Sequence, residues 1–245
     1  MAWEELEKSG IKAYYKDNAV FIINADCREV LPELPKADLV LTSPPFNLGN
    51  THHTGSIKHK CYNDDMPELD YQSSQIEILE QLWRVVKDSG SLCYQHKNRI
   101  KAGKMITPYE WLLKTKWLAK QEIVWFNGSQ NFDKIRFYPM TERIYWLAKS
   151  NKTQLDNSLG LHDDWHIEPV GTDNKFTRAY PEELVNRIIV SFPQAELILD
   201  PFLGSGTTCY CAKKLLRKSI GIEIEEKYCE IAANRCRQMV FDLTA

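Results

Sequence analysis

Short apolar runs alternate with amphipathic stretches along this chain, and that alternation is typical of an α/β protein. We predict strands at residues 20–23, 37–41, 91–94, 122–126, 143–148, 196–200 and 218–223. Helical spacing of the apolar positions predicts helices at residues 4–9, 28–31, 71–86, 108–120, 209–217 and 228–239. Because strands and helices alternate, we expect a twisted, mostly parallel sheet with helices on both faces.

Two departures from that alternation predict antiparallel hairpins. One covers residues 13–23, with a turn at Asp17-Asn18, and the other pairs strands 122–126 and 143–148 at the edge of the sheet. A turn at residues 88–90 is expected between the helix at 71–86 and the strand that follows it. On that helix the predicted buried face consists of Ile76, Leu79, Leu82, Trp83 and Val86.

The strand at residues 37–41 runs into the turn Thr42-Ser43-Pro44-Pro45-Phe46-Asn47. Two consecutive prolines hold φ at about −65° and remove two backbone donors, and they keep Ser43 out of the helical region. The corner offers a hydroxyl, carbonyls and an aromatic face. It therefore suits a planar amino group on a ring, with Ser43 and Pro44 accepting its hydrogens and Phe46 stacking on the ring. The alternative is a plain strand-to-loop turn with an exposed phenylalanine.

A second stretch has the parts of a nucleotide-cofactor site. Asp200 ends a predicted strand and is followed by Gly204-Ser205-Gly206 and the start of a helix, where glycines let the backbone approach a ligand closely. Glu223 ends the next strand about 20 residues later, a spacing that suits a carboxylate on ribose hydroxyls. Cys209 replaces the third glycine of the dinucleotide fingerprint, so NAD is disfavoured.

Together the two stretches resemble the permuted β-class of DNA amino-methyltransferases, the N4-cytosine/N6-adenine family. Residues 200–207 look like its S-adenosylmethionine motif, and residues 42–46 resemble its catalytic motif, (Asp/Asn/Ser)-Pro-Pro-(Tyr/Phe). The catalytic motif comes first, as in that class, and the resemblance runs roughly from residue 20 to residue 235. It implies a Rossmann-like methyltransferase fold in one domain over residues 1–245, S-adenosylmethionine as cofactor, and double-stranded DNA with a flipped base as substrate.

The resemblance also implies roles for individual residues. Ser43, Pro44, Pro45 and Phe46 would be catalytic. The cofactor would be bound by Asp26, Cys27, Asp200, Phe202, Gly204, Ser205, Gly206, Thr207 and Glu223. Asp26 would lie against the adenine, and its alternative role is to cap the helix at residues 28–31. Phe176 stands where relatives commonly have a histidine, near the methionine end of the cofactor.

Contacts to the flipped base or to DNA are predicted for Asn47, Lys58, Lys97, Arg99, Trp125 and Phe126. Residues 97–104 carry four cations and no acid, a patch that suits phosphates; an ordinary solvated face is the alternative. Trp125 and Phe126 would wall the base pocket, and core packing is their alternative. Residues 48–66 are predicted to form a mobile loop that closes on DNA, and residues 150–174 a short target-recognition segment.

Composition limits the other functions. The formal net charge of −2 indicates weak non-specific binding to DNA. No run approaches the ~20 apolar residues of a membrane span, and the first residues do not form a signal peptide, so a cytoplasmic protein is expected. The seven cysteines include no Cys-x-x-Cys pair, which favours reduced thiols over zinc or disulfides, and no metal is predicted. A homodimer is left open.

The identity of the first catalytic residue bears on the target base. In the amino-methyltransferase family, serine at the position of Ser43 goes mostly with cytosine N4 and aspartate mostly with adenine N6. Cytosine is therefore favoured as the target base. Adenine-N6 methylation is the alternative within the family. Outside it stand a methyltransferase for RNA, protein or small molecules, and a cofactor-binding, DNA-binding module without catalysis. The resemblance further implies a place in restriction–modification.

Overall fold

The structure is a computed structural model that describes residues 3–49, 64–128, 133–169 and 179–238. Within these ranges nine strands form one sheet, and two others form a separate hairpin. The strands of the sheet are β1 (Tyr15–Lys16), β2 (Val20–Asn24), β3 (Ala37–Thr42), β4 (Val86–His96), β7 (Leu118–Phe126), β8 (Thr141–Ala148), β9 (Asp164–His166), β10 (Leu197–Asp200) and β11 (Lys218–Glu223). The separate hairpin consists of β5 (Arg99–Lys101) and β6 (Lys104–Ile106).

Seven α-helices lie within the described ranges. They are α1 (Glu4–Lys8), α2 (Cys27–Val30), α3 (Glu68–Val85), α4 (Tyr109–Leu112), α5 (Glu182–Val190), α6 (Thr207–Lys214) and α7 (Glu226–Gln238). One turn of 3₁₀-helix at Leu31–Glu33 continues α2. None of the helices in the described ranges is long and apolar enough to cross a membrane.

The strand order is β1-β2-β11-β10-β3-β4-β8-β7-β9. The five strands from β2 to β4 in this order are mutually parallel, while β8 is antiparallel to both β4 and β7. β2, β3, β4, β7, β10 and β11 therefore all end at the same side of the sheet, which we call the carboxyl edge. In sheets of this type ligands bind outside that edge.

The strands alternate between two packed faces because successive side chains of a strand point to opposite sides. On one face Val40, Leu92 and Leu199 pack against Leu79 and Leu82 of α3. On the other face the partners come from α5 and α6. This second core includes Leu39, Leu41, Ile144, Ile198, Leu184, Ile188, Cys211 and Ala212. Both faces are covered, as the alternating pattern predicted, and the carboxyl edge is left as the place for a site.

The mostly parallel sheet with an antiparallel hairpin is confirmed, with one change at its border. The hairpin of β7 and β8 is not the outermost pair, because β9 adds to β7 in parallel register, with Trp125 opposite Trp165. β9 lies within residues 150–174, for which the sequence predicted a target-recognition segment and no strand. Its three residues are too short for a periodic signal.

The predicted helix at residues 108–120 is wrong over most of its length. Only Tyr109–Leu112 is helical, and Leu118 already pairs with Ala148 as part of β7. Trp117 lies between the two elements and donates its indole N–H to the carbonyl of Leu79, 2.9 Å away. Cross-strand pairing with β8 and packing on α3 outweigh the helical spacing of the leucines and tryptophans.

The region around residue 86 also differs from the prediction. α3 begins at Glu68, and its buried face includes Tyr71, Ile78 and Val85, whereas Ile76 and Trp83 are only half-buried. No separate turn interrupts the chain at residues 88–90, since β4 runs from Val86 and absorbs them as an irregularity against β3. Gly90 permits this because a Cβ there would lie 2.7 Å from the carbonyl oxygen of Asp38.

Candidate active site

The catalytic turn predicted from the sequence begins where β3 ends, at the middle of the carboxyl edge. Thr42 is the last residue of β3 and pairs with Tyr94 of β4. Ser43 to Phe46 follow it, and their neighbours are the ends of β4 on one side and β10 on the other. The turn therefore lies between the end of β4 and residues 201–207, which follow β10.

A chain of hydrogen bonds fixes the hydroxyl of Ser43. The hydroxyl donates to the side-chain carbonyl of Gln95, and the amide of Gln95 donates to the carboxylate of Glu142; both bonds are short. An ionised carboxylate only accepts hydrogen bonds, so Glu142 holds the –NH₂ group of Gln95 on its own side. The Gln95 carbonyl then faces Ser43 and accepts the hydrogen bond from its hydroxyl, which leaves the lone pairs of the serine oxygen as acceptors.

Phe46 is supported by a buried aromatic group on the other side of the turn. Its ring lies against His96, with centroids 4.6 Å apart and planes tilted by 45°. His96 in turn stacks on Tyr94 and meets the edge of Trp111. Phe46 itself is half-buried, so one face of the ring is supported while part of it stays accessible.

The hydroxyl of Tyr71 joins this aromatic group to the prolines. Its oxygen lies 2.7 Å from the carbonyl oxygen of Pro45 and 2.8 Å from Nε2 of His96. Because a carbonyl can only accept, Tyr71 donates to Pro45 and accepts the Nε2–H of His96. Nδ1 of His96 accordingly accepts the backbone N–H of Lys97 at 2.8 Å, and the carbonyl oxygen of Lys97 lies at the same distance from it. This assigns one neutral tautomer to His96.

Burial keeps that imidazole uncharged. Removal from water lowers the pKa of His96 to about 3, and the nearby positive charges of Arg99 and Lys97 lower it further. The carbonyl oxygen of Lys97, 2.8 Å from Nδ1, acts in the opposite direction. Burial also raises the pKa of Tyr71 well above its usual value. Both groups therefore hold their protons unchanged over the neutral range, and they serve as a fixed support for the turn.

Asp200 connects the end of β3 to the glycine turn and helix that follow β10. Its carboxylate is buried and accepts hydrogen bonds from the hydroxyl of Thr42 at 2.8 Å, the hydroxyl of Thr208 at 2.6 Å and the N–H of Phe202 at 3.1 Å. Burial raises its pKa to about 6, and these three hydrogen bonds hold the rise in check. With its oxygens engaged inside the protein, Asp200 positions both stretches relative to each other.

The glycine turn that follows has one closed side and one open side. Gly206 has φ +83°, and a Cβ there would lie 2.6 Å from the Cβ of Ala232 on α7, so no larger residue fits. Gly204 also has a positive φ, +53°, but a Cβ there would meet no heavy atom within 4 Å among the described residues. The turn therefore packs on α7 through Gly206 and offers its backbone to a ligand at Gly204.

The acids predicted to bind the cofactor flank this turn. Glu223 accepts the N–H of Gly204 at 2.8 Å and that of Glu225 at 2.9 Å, and burial raises its pKa. Asp26 caps α2 by accepting the N–H of Arg28, whose guanidinium lowers the pKa of Asp26. The capping alternative is thus confirmed, while the adenine contact stays a prediction. Cys27 has its thiol in the core, so its backbone is the part that a ligand can reach.

Three residues predicted to contact the base or DNA are buried and bonded inside the protein. Asn47 is buried, and its side-chain amide is bonded in both directions to the backbone of Met66, at 2.7 and 3.0 Å. Arg99 is buried too and forms a bidentate pair with Glu68, at 2.7 and 2.8 Å. Trp125 is packed in the core and donates to the carbonyl of Ile167. Trp125 thus follows its core alternative, while Asn47 and Arg99 have partners inside the protein and their contact with DNA stays a prediction.

The other predicted contacts are compatible with the carboxyl edge or cannot be placed. Lys97 lies over the Phe46 ring, with Nζ 5.9 Å from its centroid. Phe126 is half-buried at the end of β7 and stacks on His166 of β9, with centroids 5.0 Å apart. Lys58, Phe176 and most of the loop at 48–66 lie outside the described residues.

Sequence reasoning missed Gln95, Glu142, Tyr71 and His96, all of which contact the turn or a residue that does. Gln95 and His96 end a predicted strand, so their place at the carboxyl edge was available from the pattern; Glu142 and Tyr71 gave no local signal. Tyr180 was missed as well. Its buried hydroxyl has no hydrogen-bond partner among the described residues. Burial, and after it the charge of Asp200, raises the pKa of Tyr180 well above its usual value.

Comparison with known proteins agrees with this geometry. The family model described as DNA methylase, N6/N4 type, matches residues 37–234. The chain belongs to the N6/N4 DNA methylase family. It is thus an S-adenosylmethionine-dependent DNA amino-methyltransferase by family, which confirms the predicted enzyme class, cofactor and DNA substrate. The match covers both the catalytic turn and the glycine turn.

Individual members of the family resemble this methylase over nearly its whole length. The type II methyltransferase M.BglII of Bacillus subtilis is 28% identical over 94% of this chain and 72% of its own. The PvuII DNA methyltransferase (cytosine-N4-specific) superposes with a TM-score of 0.79 at 19% identity, covering 96% of this chain and 94% of its own. A putative DNA modification methylase of Thermus thermophilus, complexed with S-adenosyl-L-methionine, gives a TM-score of 0.65 at 20% identity, covering 91% and 95%. At such identities the two structures establish the fold.

The residues at the carboxyl edge fit the cofactor of the family. Gly204, which follows β10, leaves an open approach, and the carboxylate of Glu223 accepts its N–H. The hydroxyl of Tyr180 is buried without a hydrogen-bond partner among the described residues. An adenosine has ribose hydroxyls for a carboxylate, and the amino-acid end of the cofactor has charged groups that a buried hydroxyl can bind.

Proposed function

We propose that this methylase transfers a methyl group to N4 of a cytosine that is flipped out of duplex DNA. The observation that supports it is the orientation of Ser43, whose hydroxyl proton is directed to Gln95 and whose oxygen is left as an acceptor. Serine at this position goes mostly with cytosine in the family, and the PvuII enzyme, named as cytosine-N4-specific, has the same fold.

The substrate amine explains why acceptors are needed. An exocyclic amino nitrogen is conjugated with the ring, so its lone pair is a poor nucleophile. Ser43 would accept one amine hydrogen and the carbonyl of Pro44 the other, which favours a pyramidal nitrogen with a localised lone pair. The carbonyl of Pro45 is already occupied by Tyr71, so Pro44 is the acceptor that we assign. Such preorganised dipoles act without reorganisation during the reaction.

The remaining roles follow from the placement of the two stretches. S-adenosylmethionine, when bound, supplies an electrophilic methyl group. We assign its binding to Gly204, Gly206, Glu223 and the turn at Asp26, with Tyr180 at the amino-acid end. Asp200, through Thr42 and Thr208, sets the distance between these residues and Ser43. Positioning of the two reactants contributes a large part of the rate.

The flipped base would stack on Phe46, which His96 supports from behind. Flipping costs a few kcal/mol, and stacking on an aromatic ring returns ~1–3 kcal/mol. Phe126 with His166 forms a second aromatic surface at the same edge. We assign target recognition to the segment 150–174, of which β9 is the part fixed to the sheet, within a single methyltransferase domain.

Nucleoside mass spectrometry tests the proposal. Natural duplex DNA of mixed sequence is incubated with the protein and S-adenosylmethionine, then digested to nucleosides. N4-methylcytosine is the expected product. N6-methyladenine would retain the assigned acceptors and overturn the target base. Methylation absent from DNA, with cofactor binding shown by calorimetry, would overturn the proposed function.

A further inference from the structure

Residues 133–138, with the sequence Asp-Lys-Ile-Arg-Phe-Tyr, present unusually exposed apolar side chains. Phe137 is 100% exposed and Ile135 80% exposed. A single exposed apolar residue is ordinary in a protein surface. Here two of them alternate with Lys134 and Arg136, so apolar and cationic groups are combined on one short segment.

Hydrogen bonds of its own hold this segment in shape. Oδ1 of Asp133 accepts the N–H groups of Ile135 and Arg136, at 2.9 and 3.1 Å, and Oδ2 accepts from the Arg136 guanidinium at 3.2 Å. These bonds, the one from Ile135 first, lower the pKa of Asp133. The guanidinium also donates to the carbonyl of Gly103, 3.3 Å away, in the turn between β5 and β6. The segment is thus a formed turn that is attached to the β5–β6 hairpin.

The segment projects from the carboxyl edge, on the same side as the catalytic turn. It lies between the end of β7 and Thr141, the first residue of β8. Glu142 is the next residue and binds Gln95, which binds Ser43. Two side chains therefore link the base of this segment to the catalytic serine.

Charge identifies the kind of partner. Lys134 lies on the segment and Lys104 on the attached hairpin, and residues 97–106 contain no acid. Arg136 and Lys101 add positive charge, although each is paired with a carboxylate, Asp133 and Glu68 respectively. Asp133 is the one acid of the segment, and its oxygens are taken by the turn. A cationic surface next to the base pocket suits the phosphates of the duplex that supplies the base. Exposed apolar side chains at such a surface suit the interior of the base stack.

We propose that residues 133–138 form a wedge that enters duplex DNA beside the target base, with Phe137 stacking in the gap that the flipped base leaves. Lys134 and Lys104 hold the adjoining phosphates, while Arg136 keeps the turn in shape. Phe137 lowers the cost of flipping, because it replaces part of the stacking that the neighbouring base pairs lose. This inference rests on the proposed function, since it requires a base to leave a duplex.

The test compares a target base that is paired with one that has no partner. The methylation site is first mapped with the wild-type protein on natural DNA, and two synthetic duplexes are then made around it. One has the target base in its Watson–Crick pair, and the other has it opposite an abasic position. A base without a partner is cheaper to flip, so the second duplex should need the wedge less. Single-turnover rates of methyl transfer are measured on both.

Phe137→Ala should slow methyl transfer on the paired duplex ~10–100-fold, because one stacking contact is lost. On the abasic duplex its rate should stay within about twofold of the wild-type rate. Phe137→Trp, which retains a stacking ring, should restore the rate on the paired duplex. Leu216→Ala is the matched control, because Leu216 is 88% exposed but precedes β11 at the opposite edge of the sheet. It should match the wild type on both duplexes.

The outcomes separate the two proposals. Equal rates for Phe137→Ala and the wild type on the paired duplex, or an equal loss on both duplexes, would overturn the wedge and leave the proposed function standing. Absence of methylation by the wild-type protein on natural DNA would overturn the proposed function and the wedge with it.

Discussion

The two sides of the catalytic turn are held by different kinds of contact. On the Ser43 side a polar arm, Gln95 and Glu142, consists of hydrogen bonds that end on a half-buried carboxylate. On the Phe46 side an aromatic arm, His96 and Tyr71, is fully packed, and its hydrogen bonds lead to backbone groups. The polar arm directs one proton, whereas the aromatic arm fixes the position of a ring and a carbonyl.

The polar arm thus bears on the reaction, whereas the aromatic arm holds the turn in position. Gln95 is an amide and does not titrate, so the polar arm cannot carry charge from Glu142 to Ser43; it can only orient the hydroxyl. The aromatic arm contains titratable groups, but burial shifts their pKa values away from neutrality. Substitutions in the polar arm should therefore affect the rate more than stability, and substitutions in the aromatic arm should do the opposite.

The largest effect is expected for Ser43→Ala. It removes the acceptor that we assign to the amine, and loss of one preorganised hydrogen-bond partner costs ~100–1000-fold in kcat. Affinity for S-adenosylmethionine and the melting temperature should stay close to those of the wild type, because the side chain is half-buried and bonded only to Gln95 among the described residues. Single-turnover methylation and calorimetry measure the two quantities. An unchanged rate would remove Ser43 from the mechanism.

Tyr71→Phe tests the aromatic arm. The ring is retained, but the carbonyl of Pro45 and the Nε2–H of His96 lose their partner inside the protein. An unsatisfied buried group costs ~1–3 kcal/mol, so the free energy of unfolding should fall by about that amount. Urea denaturation measures it. A loss of activity as large as that of Ser43→Ala, with stability unchanged, would show that the two arms do not differ as described.

The sequence predicted the carboxyl edge well because apolar runs and glycine turns are local signals. Residues 37–41 and 196–200 read as strands, and Ser43 and Gly206 lie where those strands end. The partners of these residues are not local. Glu142 reaches Ser43 through Gln95, and Tyr71 reaches Pro45 across a gap of 26 residues in sequence. No periodicity encodes such pairs, since only the packing of α3 and β8 brings them together.

Arg99 and Asn47, which were predicted to contact DNA, also have partners that are distant in sequence. Arg99 counts as a surface cation in the sequence, yet Glu68 pairs with it and Tyr71 covers it, with the guanidinium 4.7 Å from the ring centroid. Asn47 has a positive φ of 55° and bonds through its side chain to the backbone of Met66, 19 residues away. Charge and position suggested a DNA contact for both, and tertiary partners gave them other roles.

Glu142→Gln tests the orienting role of the polar arm. A glutamine can still accept from Gln95, but it does not force the –NH₂ group of Gln95 to its own side, so Gln95 can turn and donate to Ser43. The serine oxygen then loses an acceptor position, and kcat should fall about tenfold. Glu122→Gln on β7 is the matched control; Glu122 pairs with Arg143 at 2.7 Å. An equal loss in both variants would indicate a general charge effect.

The smallest effect concerns pH and contrasts His96 with Asp200. The pKa of His96 is about 3 when folded, below its usual 6.5, so its contribution to stability is present above pH 6.5 and is lost as pH falls toward 3. The pKa of Asp200 is about 6 when folded, above its usual 3.8, so its contribution is present below pH 3.8 and is lost as pH rises through 6. Between about pH 4 and 6 these two contributions to the free energy of unfolding change in opposite directions with pH.

Asp200→Asn tests this opposition, because it keeps an acceptor for Thr42 and removes the pH dependence that Asp200 contributes. The free energy of unfolding should then fall more steeply on acidification than in the wild type, by at most about 1.4 kcal/mol per pH unit. Urea denaturation of both proteins at about pH 4.5, 5.5 and 6.5, in the range where the two groups titrate, measures the difference in the free energy of unfolding. Parallel curves for the two proteins would mean that Asp200 is already ionised in this range, and its hydrogen bonds from Thr42 and Thr208 would then outweigh its burial.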